Sequence, residues 1–187
     1  RVIHSILKPC KKKVECMSLV VDNNVISDQK QIAQSLNEYF VNIGKKINTS
    51  IPSIDINPCR YLNGDYPNSL FLSHIVPVDV INVVLGLKDG KSPGYDDIDS
   101  RVLKKCIHLI VVPLTHIYNI SLQNGHFPDK FKIAKVVPIY KNGEKQLCSN
   151  YRPISLLSVF SKIFEKLVYT KLMSFINKYD ILYNRQF

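Results

Sequence analysis

Apolar residues recur along this chain in two periods, near two and near 3.6, and the points where one gives way to the other mark its elements. The run MSLVVDNNVIS (17–27) holds two short apolar stretches around Asp22-Asn23-Asn24, which predicts a β-hairpin. A helix follows. Asp28 stands at its N-cap, with Gln31 three residues on as capping-box partner. Ile32, Leu36, Tyr39, Phe40 and Ile43 share one face, and Gly44 supplies a stop. Residues 48–70, punctuated by Pro52, Pro58, Gly64 and Pro67, read as an irregular linker.

A second helix is expected over 77–87, with Pro77 at its start, Asp79 at the positive end of its dipole, and Val80, Ile81, Val84 and Leu85 inward. KDGKSPG then breaks the chain. The helical period resumes through Val102, Leu103, Cys106, Ile107 and Ile110, and Pro113 predicts an interruption. A new helix from that proline carries Leu114, Ile117, Tyr118 and Leu122 as far as Gly125. KIAKVVPIYK (132–141) reads as a strand with Pro138 at an edge or at its end, Asn142-Gly143 as a turn, and Tyr151 to Leu157 as the return strand. The closing helix has the longest stripe: Phe160, Ile163, Phe164, Leu167, Val168, Leu172, Phe175 and Ile176, opposite Lys162, Glu165, Lys166 and Lys171. The fold class is therefore α+β. No apolar run approaches the ~18 residues that span a bilayer, so the chain reads as soluble, with no membrane partner.

Charge sharpens the picture. The net charge is +10, and residues 126–187 carry eleven basic against four acidic side chains, so this third supplies +7 of it. Basic residues concentrated in one segment fit a polyanionic partner, nucleic acid before membrane; the bland alternative is a solvated basic face. The five cysteines (10, 16, 59, 106, 148) are odd in number and form no C-x-x-C pair, which reads as reduced thiols of an intracellular protein, mostly buried filler. His108 and His116 are expected on a helix surface rather than on a metal. The chain opens on Arg1, not Met, and ends on Phe187, which reads as a piece of a longer polypeptide.

The stretch SPGYDDIDS (92–100) offers Asp96, Asp97 and Asp99 as candidate metal ligands. A two-metal centre needs carboxylates held rigidly around ions about 3.5–4 Å apart, usually at strand ends. Here a breaker-rich loop lies upstream and a helix downstream, so Asp99 or Ser100 reads as an N-cap and the acids as loop-fixing groups. A calcium loop fails as well, because no register offers both a Gly at its sixth position and a Glu at its twelfth.

Several segments taken together resemble one family: IAQSLNEYFVNIG, FLSHIVPVDVINVVLGLKDGKSPGYDDI, NGHFPDKFKIAKVVPIYK, SNYRPISLLSVFSKIFEKLVYTKL and ILYNRQF. In order and spacing they are similar to the N-terminal part of the reverse transcriptases of jockey-type non-LTR retrotransposons. Most specific is PIYK, a spacer (142–150), YRPISLL and then K-I-x-E-K on a helix. The resemblance implies a helical segment upstream of the domain (1–70) and then the partial fingers subdomain (71–187), with the palm and thumb of the parent missing. It implies that the catalytic aspartates lie beyond Gln186-Phe187, so that this chain holds no catalytic residue and no metal ligand. No cofactor is expected for the piece, and Mg²⁺ for the complete parent. Its partners would be an RNA template, a DNA primer and a deoxynucleoside triphosphate.

By position in the family pattern, Lys141 in PIYK and Arg152 in YRPI resemble the pair that holds the incoming triphosphate. The chemistry agrees: Arg offers a planar fork that grips two phosphate oxygens, and Pro153 biases Arg152 towards an extended conformation. The competing readings are a solvated turn lysine and a structural ion pair of Arg152 with Glu144 or Glu165. Lys132, Lys135 and Lys145 are candidate contacts to a template backbone. Tyr140 and Tyr151 are candidates to stack on a base, or edge residues of a core. Two other functions stay open: a non-catalytic nucleic-acid-binding remnant of such an element, and a purely structural helical domain.

Overall fold

The computed structural model describes residues 18–52, 57 and 68–182. The expected linker therefore lies largely outside the described residues, as do Cys10, Cys16, Cys59 and the end of ILYNRQF from residue 183. Among the described residues the fold is mixed α+β, with five helices and two small two-stranded antiparallel sheets. It falls into two compact units: Arg1–Ile54 with Pro138–Ile154, and Asp55–Val137 with Ser155–Phe187.

The first unit opens with β1 (Leu19–Val21) and β2 (Asn24–Ile26), paired antiparallel with Val21 opposite Asn24. Asp22 and Asn23 both take positive φ, 49° and 65°, as a two-residue turn between tightly twisted strands requires, and Asp/Asn tolerate that region better than other side chains. Helix α1 (Gln29–Ser50) starts as the sequence predicts, Asp28 accepting the Gln31 N–H at 3.0 Å. Leu19, Ile32 and Leu36 form a small core with Val21, Ile26 and Phe40, and Cys148 and Tyr151 close it. Two expectations fail here. Helix α1 runs through Gly44 to Ser50, and Ile43 is exposed. Gly44 has no atom near its would-be side chain and keeps helical geometry, since glycine weakens a helix without forbidding it.

The second unit is helical. Helix α2 (Pro77–Leu85) keeps Val80 and Val84 fully buried, but Leu85, expected inward, is exposed where the helix ends. Helix α3 (Ser100–Gln123) is continuous, whereas the sequence predicts two helices meeting at Pro113. Pro113 is exposed, so the hydrogen bond it cannot donate is lost on the solvent side, where water can serve the Leu109 carbonyl. The inner face meanwhile carries Leu103, Ile107, Val111, Leu114 and Tyr118 without a gap. This helix is long and apolar enough, by length and composition, to cross a bilayer, a length hidden in the sequence by reading the proline as a break. His108 and His116 lie on its surface as expected.

After the short helix α4 (Asp129–Lys132) come strands β3 (Ala134–Tyr140) and β4 (Tyr151–Leu157), then helix α5 (Val159–Lys178). Pro138 and Pro153 sit within the strands because a two-stranded sheet has only edges, where a missing donor need not break a ladder. Helix α5 buries Val159, Ile163, Phe164 and Leu167, while its later stripe loosens and leaves Leu172 exposed.

Tyr118 organises this core. Its ring stacks on Phe164 at 5.0 Å, and Phe127 and Phe131 pack around the pair. Its hydroxyl donates to the Phe160 carbonyl at 2.9 Å, and burial pushes its ionisation well above the ordinary tyrosine range. Asn119 works as a substitute strand: its side-chain amide accepts the Ile75 N–H at 2.8 Å and donates to the Ile75 carbonyl at 2.9 Å. The extended segment leading to α2 thereby has its polar backbone satisfied without a sheet.

Because Pro113 sits at an exposed position inside a continuous helix and cannot donate its hydrogen bond, Pro113→Ala is expected to stabilise the protein by about 1–3 kcal/mol. Chemical denaturation followed by far-ultraviolet circular dichroism checks this; an unchanged or lowered midpoint would show that the proline is accommodated at no cost.

Candidate nucleic-acid interface

The β3–β4 hairpin ends in a loop that is fastened from several sides. The Lys141 N–H donates to the Asn150 carbonyl at 2.8 Å, extending the ladder beyond both strands. The Asn150 side chain donates to the Glu144 carbonyl at 2.9 Å, and its atoms come within 2.7 Å of where a Cβ on Gly143 would stand. Gly143 also has φ +86°, so both conformation and space call for glycine at the turn. The Val20 N–H reaches the Gln146 carbonyl at 2.8 Å, tying the loop to β1 within the same unit.

Tyr140 and Tyr151 meet edge-to-face across the strands, with ring centroids 5.7 Å apart. Their hydroxyls donate back into the loop, Tyr140 to the Gly143 carbonyl at 2.5 Å and Tyr151 to the Lys145 carbonyl at 2.7 Å. Burial first, then Tyr140 and Cys148, raises the Tyr151 ionisation above its ordinary value. These rings brace the hairpin.

Successive strand residues alternate between faces. Tyr140 and Tyr151 share one face, so Lys141 and Arg152, each the next residue along, project together from the other. Both side chains are exposed, and neither forms an ion pair with a described residue. Of the two acids that were candidates to neutralise Arg152, Glu165 accepts from the Ser161 hydroxyl at 3.4 Å and Glu144 joins no ion pair among the described residues.

The other predicted lysines are engaged differently. Lys145 lies 5.9 Å from the Tyr140 ring centroid on the same hairpin, a cation–π contact. Lys132 pairs with Asp129 at 2.8 Å, which holds that carboxyl below its ordinary range, and Lys135 lies 3.7 Å from Asp97. The structure thus brings Lys141, Arg152 and Lys145 to one hairpin end, while Lys132 and Lys135, in the helical unit, already face carboxylates.

The three aspartates of SPGYDDIDS diverge. Asp99 caps α3, accepting the Arg101 N–H at 2.8 Å and the Arg101 guanidinium at 2.6 and 3.0 Å; these bonds hold its carboxyl below the ordinary value. Asp97 has φ 53° and points towards Lys135. Asp96 accepts the Ser158 hydroxyl at 2.5 Å and the Ile98 N–H at 3.3 Å. As a donor set they do not fit a two-metal centre, and among the described residues no cluster of three His, Cys, Asp or Glu side chains is placed to hold an ion.

Sequence reasoning missed Ser158 and Gly94. Ser158, 2% exposed, caps α5 by accepting the Phe160 N–H at 3.3 Å while it donates to Asp96. A Cβ on Gly94 would stand 2.6 Å from the Leu157 carbonyl carbon and the Ser158 nitrogen, so the loop touches the backbone between β4 and α5. A serine immediately before a helical run is a readable cap signal; its second bond, to a residue far upstream, is not.

Asp96→Ala strands the buried Ser158 hydroxyl and is expected to cost about 1–3 kcal/mol. Gly94→Ala meets backbone that cannot swing aside and should cost a similar ~1–3 kcal/mol. Denaturation midpoints read both, and a loss under ~0.5 kcal/mol for either would show that the loop is not clamped. Asp99 should titrate below 3.8, the ordinary aspartate value. Its contribution to stability is complete above that value and disappears as pH falls through the lowered one. Carboxyl carbon NMR shifts measure the midpoint, which Arg101→Ala should move back up.

No family model matches the chain. Three proteins of Drosophila melanogaster are similar to part of it. The probable RNA-directed DNA polymerase from transposon BS is 33% identical over 120 residues, 64% of this chain and 13% of that protein. The RNA-directed DNA polymerase from mobile element jockey is 33% identical over 116 residues, 62% of this chain and 13% of the relative. The probable RNA-directed DNA polymerase from transposon X-element is 30% identical over 112 residues, 59% and 12% respectively. The aligned part amounts to about an eighth of these relatives' length. Over about three-fifths of its length, this chain is similar to the reverse transcriptases of jockey-type non-LTR retrotransposons.

Proposed function

We propose that this chain supplies nucleotide and template contacts to an RNA-directed DNA polymerase of a non-LTR retrotransposon, as part of its fingers, inside the cell. One observation carries the reading: Lys141 and Arg152 leave the same face of a braced hairpin and form no ion pair with a described residue. A triphosphate carries several negative charges, and a guanidinium fork beside an ammonium matches it. During nucleotide addition the same cations would stabilise charge building on the pyrophosphate leaving group. Lys145, Lys132 and Lys135 are assigned to the template backbone, where the ion pairs with Asp129 and Asp97 would open in exchange for phosphate.

A second reading is a nucleic-acid-binding module without polymerisation. Both readings expect binding to an RNA–DNA hybrid that is tightest at low salt.

Binding of a fluorescent deoxynucleoside triphosphate to the 187-residue chain should weaken about tenfold or more in Lys141→Ala/Arg152→Ala, with affinity for single-stranded RNA changing much less. Equal losses for both ligands would remove the triphosphate assignment. With Mg²⁺ and a matched template, the chain alone is expected not to extend a primer; extension that disappears in the double variant would overturn the non-catalytic reading.

A further inference from the structure

The helical unit contains a cavity of about 450 Å³ to which neither the sequence nor the similarity assigns a role. Lys88, Lys91 and Lys162 line it, and no acidic side chain does. None of the three forms an ion pair with a described residue, although Lys104, Lys132 and Lys135 nearby in sequence all face a carboxylate. Ile98, Leu156 and Val159 supply apolar lining. A cavity that combines three unneutralised ammonium groups with an apolar wall suits a ligand that is itself half anion and half flat apolar surface.

The walls are held rigidly. Lys91 belongs to the loop that Gly94 and Asp96 fasten to the start of α5, and Val159 and Lys162 lie on the first turn of that helix. Lys88 stands where the Ser100 hydroxyl donates to its carbonyl at 3.3 Å, joining the end of the α2 connection to the start of α3. The three cations therefore come from segments whose backbones the clamp fixes to one another before any ligand arrives.

We infer that this cavity binds one nucleotide unit, its phosphate at Lys88, Lys91 and Lys162 and its base against Ile98, Leu156 and Val159. The inference rests on the nucleic-acid reading above but uses none of the cations at the hairpin end. The unit can come from a single strand or from a free nucleotide, which share the chemistry of a base joined to phosphate.

The test compares the intact chain with Lys88→Gln/Lys91→Gln/Lys162→Gln, and with Lys30→Gln/Lys45→Gln/Lys46→Gln, which removes equal charge from exposed positions on α1. Fluorescence anisotropy of a labelled single-stranded RNA dodecamer is followed across salt. The cavity variant should bind at least about tenfold more weakly at low salt, with its salt slope reduced by about 2, while the α1 variant changes little. Lys88→Gln/Lys91→Gln, which leaves the half-buried Lys162 in place, should lose part of the affinity and guards against a folding defect in the triple variant. An abasic strand of equal phosphate count should bind about threefold or more weakly than the base-bearing strand to the intact chain, and equally to the cavity variant. Competition by a nucleoside monophosphate would assign the site to the free nucleotide; its failure to compete, to the strand. Inorganic phosphate competing as well as the nucleotide would overturn the base pocket. Equal losses in the cavity and α1 variants would overturn the site while leaving the nucleic-acid reading intact, and absence of binding by the intact chain would overturn both.

Discussion

The hydroxyl of Ser158 holds together three pieces of chain that arrive from different directions. It accepts the Phe160 N–H and so begins α5, and it donates to Asp96 and so fixes the SPGYDD loop. The same point is where β4 ends, with Gly94 pressed against the backbone of Leu157 and Ser158. A hydroxyl this deeply buried must satisfy both roles, since an unpaired polar group there costs far more than a bond gains at the surface. From it follow the direction in which α5 presents Ile163, Phe164 and Leu167 to Tyr118, and the geometry of the loop bearing Lys91.

Among the described residues, Arg101, Lys104, Lys132 and Lys135 pair with carboxylates and the other cations form no ion pair. The Lys132 and Lys135 pairs are exposed, and such pairs contribute little to stability. Lys141 and Arg152, and separately the three lysines of the cavity, stand without a protein counter-ion among the described residues on segments braced by hydrogen bonds. Holding like charges on a rigid frame is unfavourable unless an anion joins them, and rigidity lowers the entropy lost when it does.

Much of the fold was legible along the chain. The β1–β2 turn at Asp22-Asn23, the Asp28 cap, the start of α2 at Pro77 and the strand Tyr151–Leu157 all rest on local chemistry, and local chemistry is written in consecutive residues. Failures gathered where a neighbour distant in sequence, or the solvent, had the deciding vote. Pro113 and Gly44 carry local signals against a helix, and both sit in one, the former on an exposed side and the latter in open space. Ile43 and Leu85 had the right period but lay beyond the partners that would have covered them.

For the candidate sites the division runs the same way. The sequence alone determined that SPGYDDIDS would cap and fix rather than gather its acids, because breakers upstream and a helix downstream leave them no common strand. Only the tertiary structure decided that Asp96 would find Ser158, that Lys132 and Lys135 would meet aspartates, and that Lys88, Lys91 and Lys162 would surround one cavity. The physical reason is range: capping and strand alternation act within a few residues, whereas hydrogen bonds and ion pairs across the core depend on which segments packing brings together.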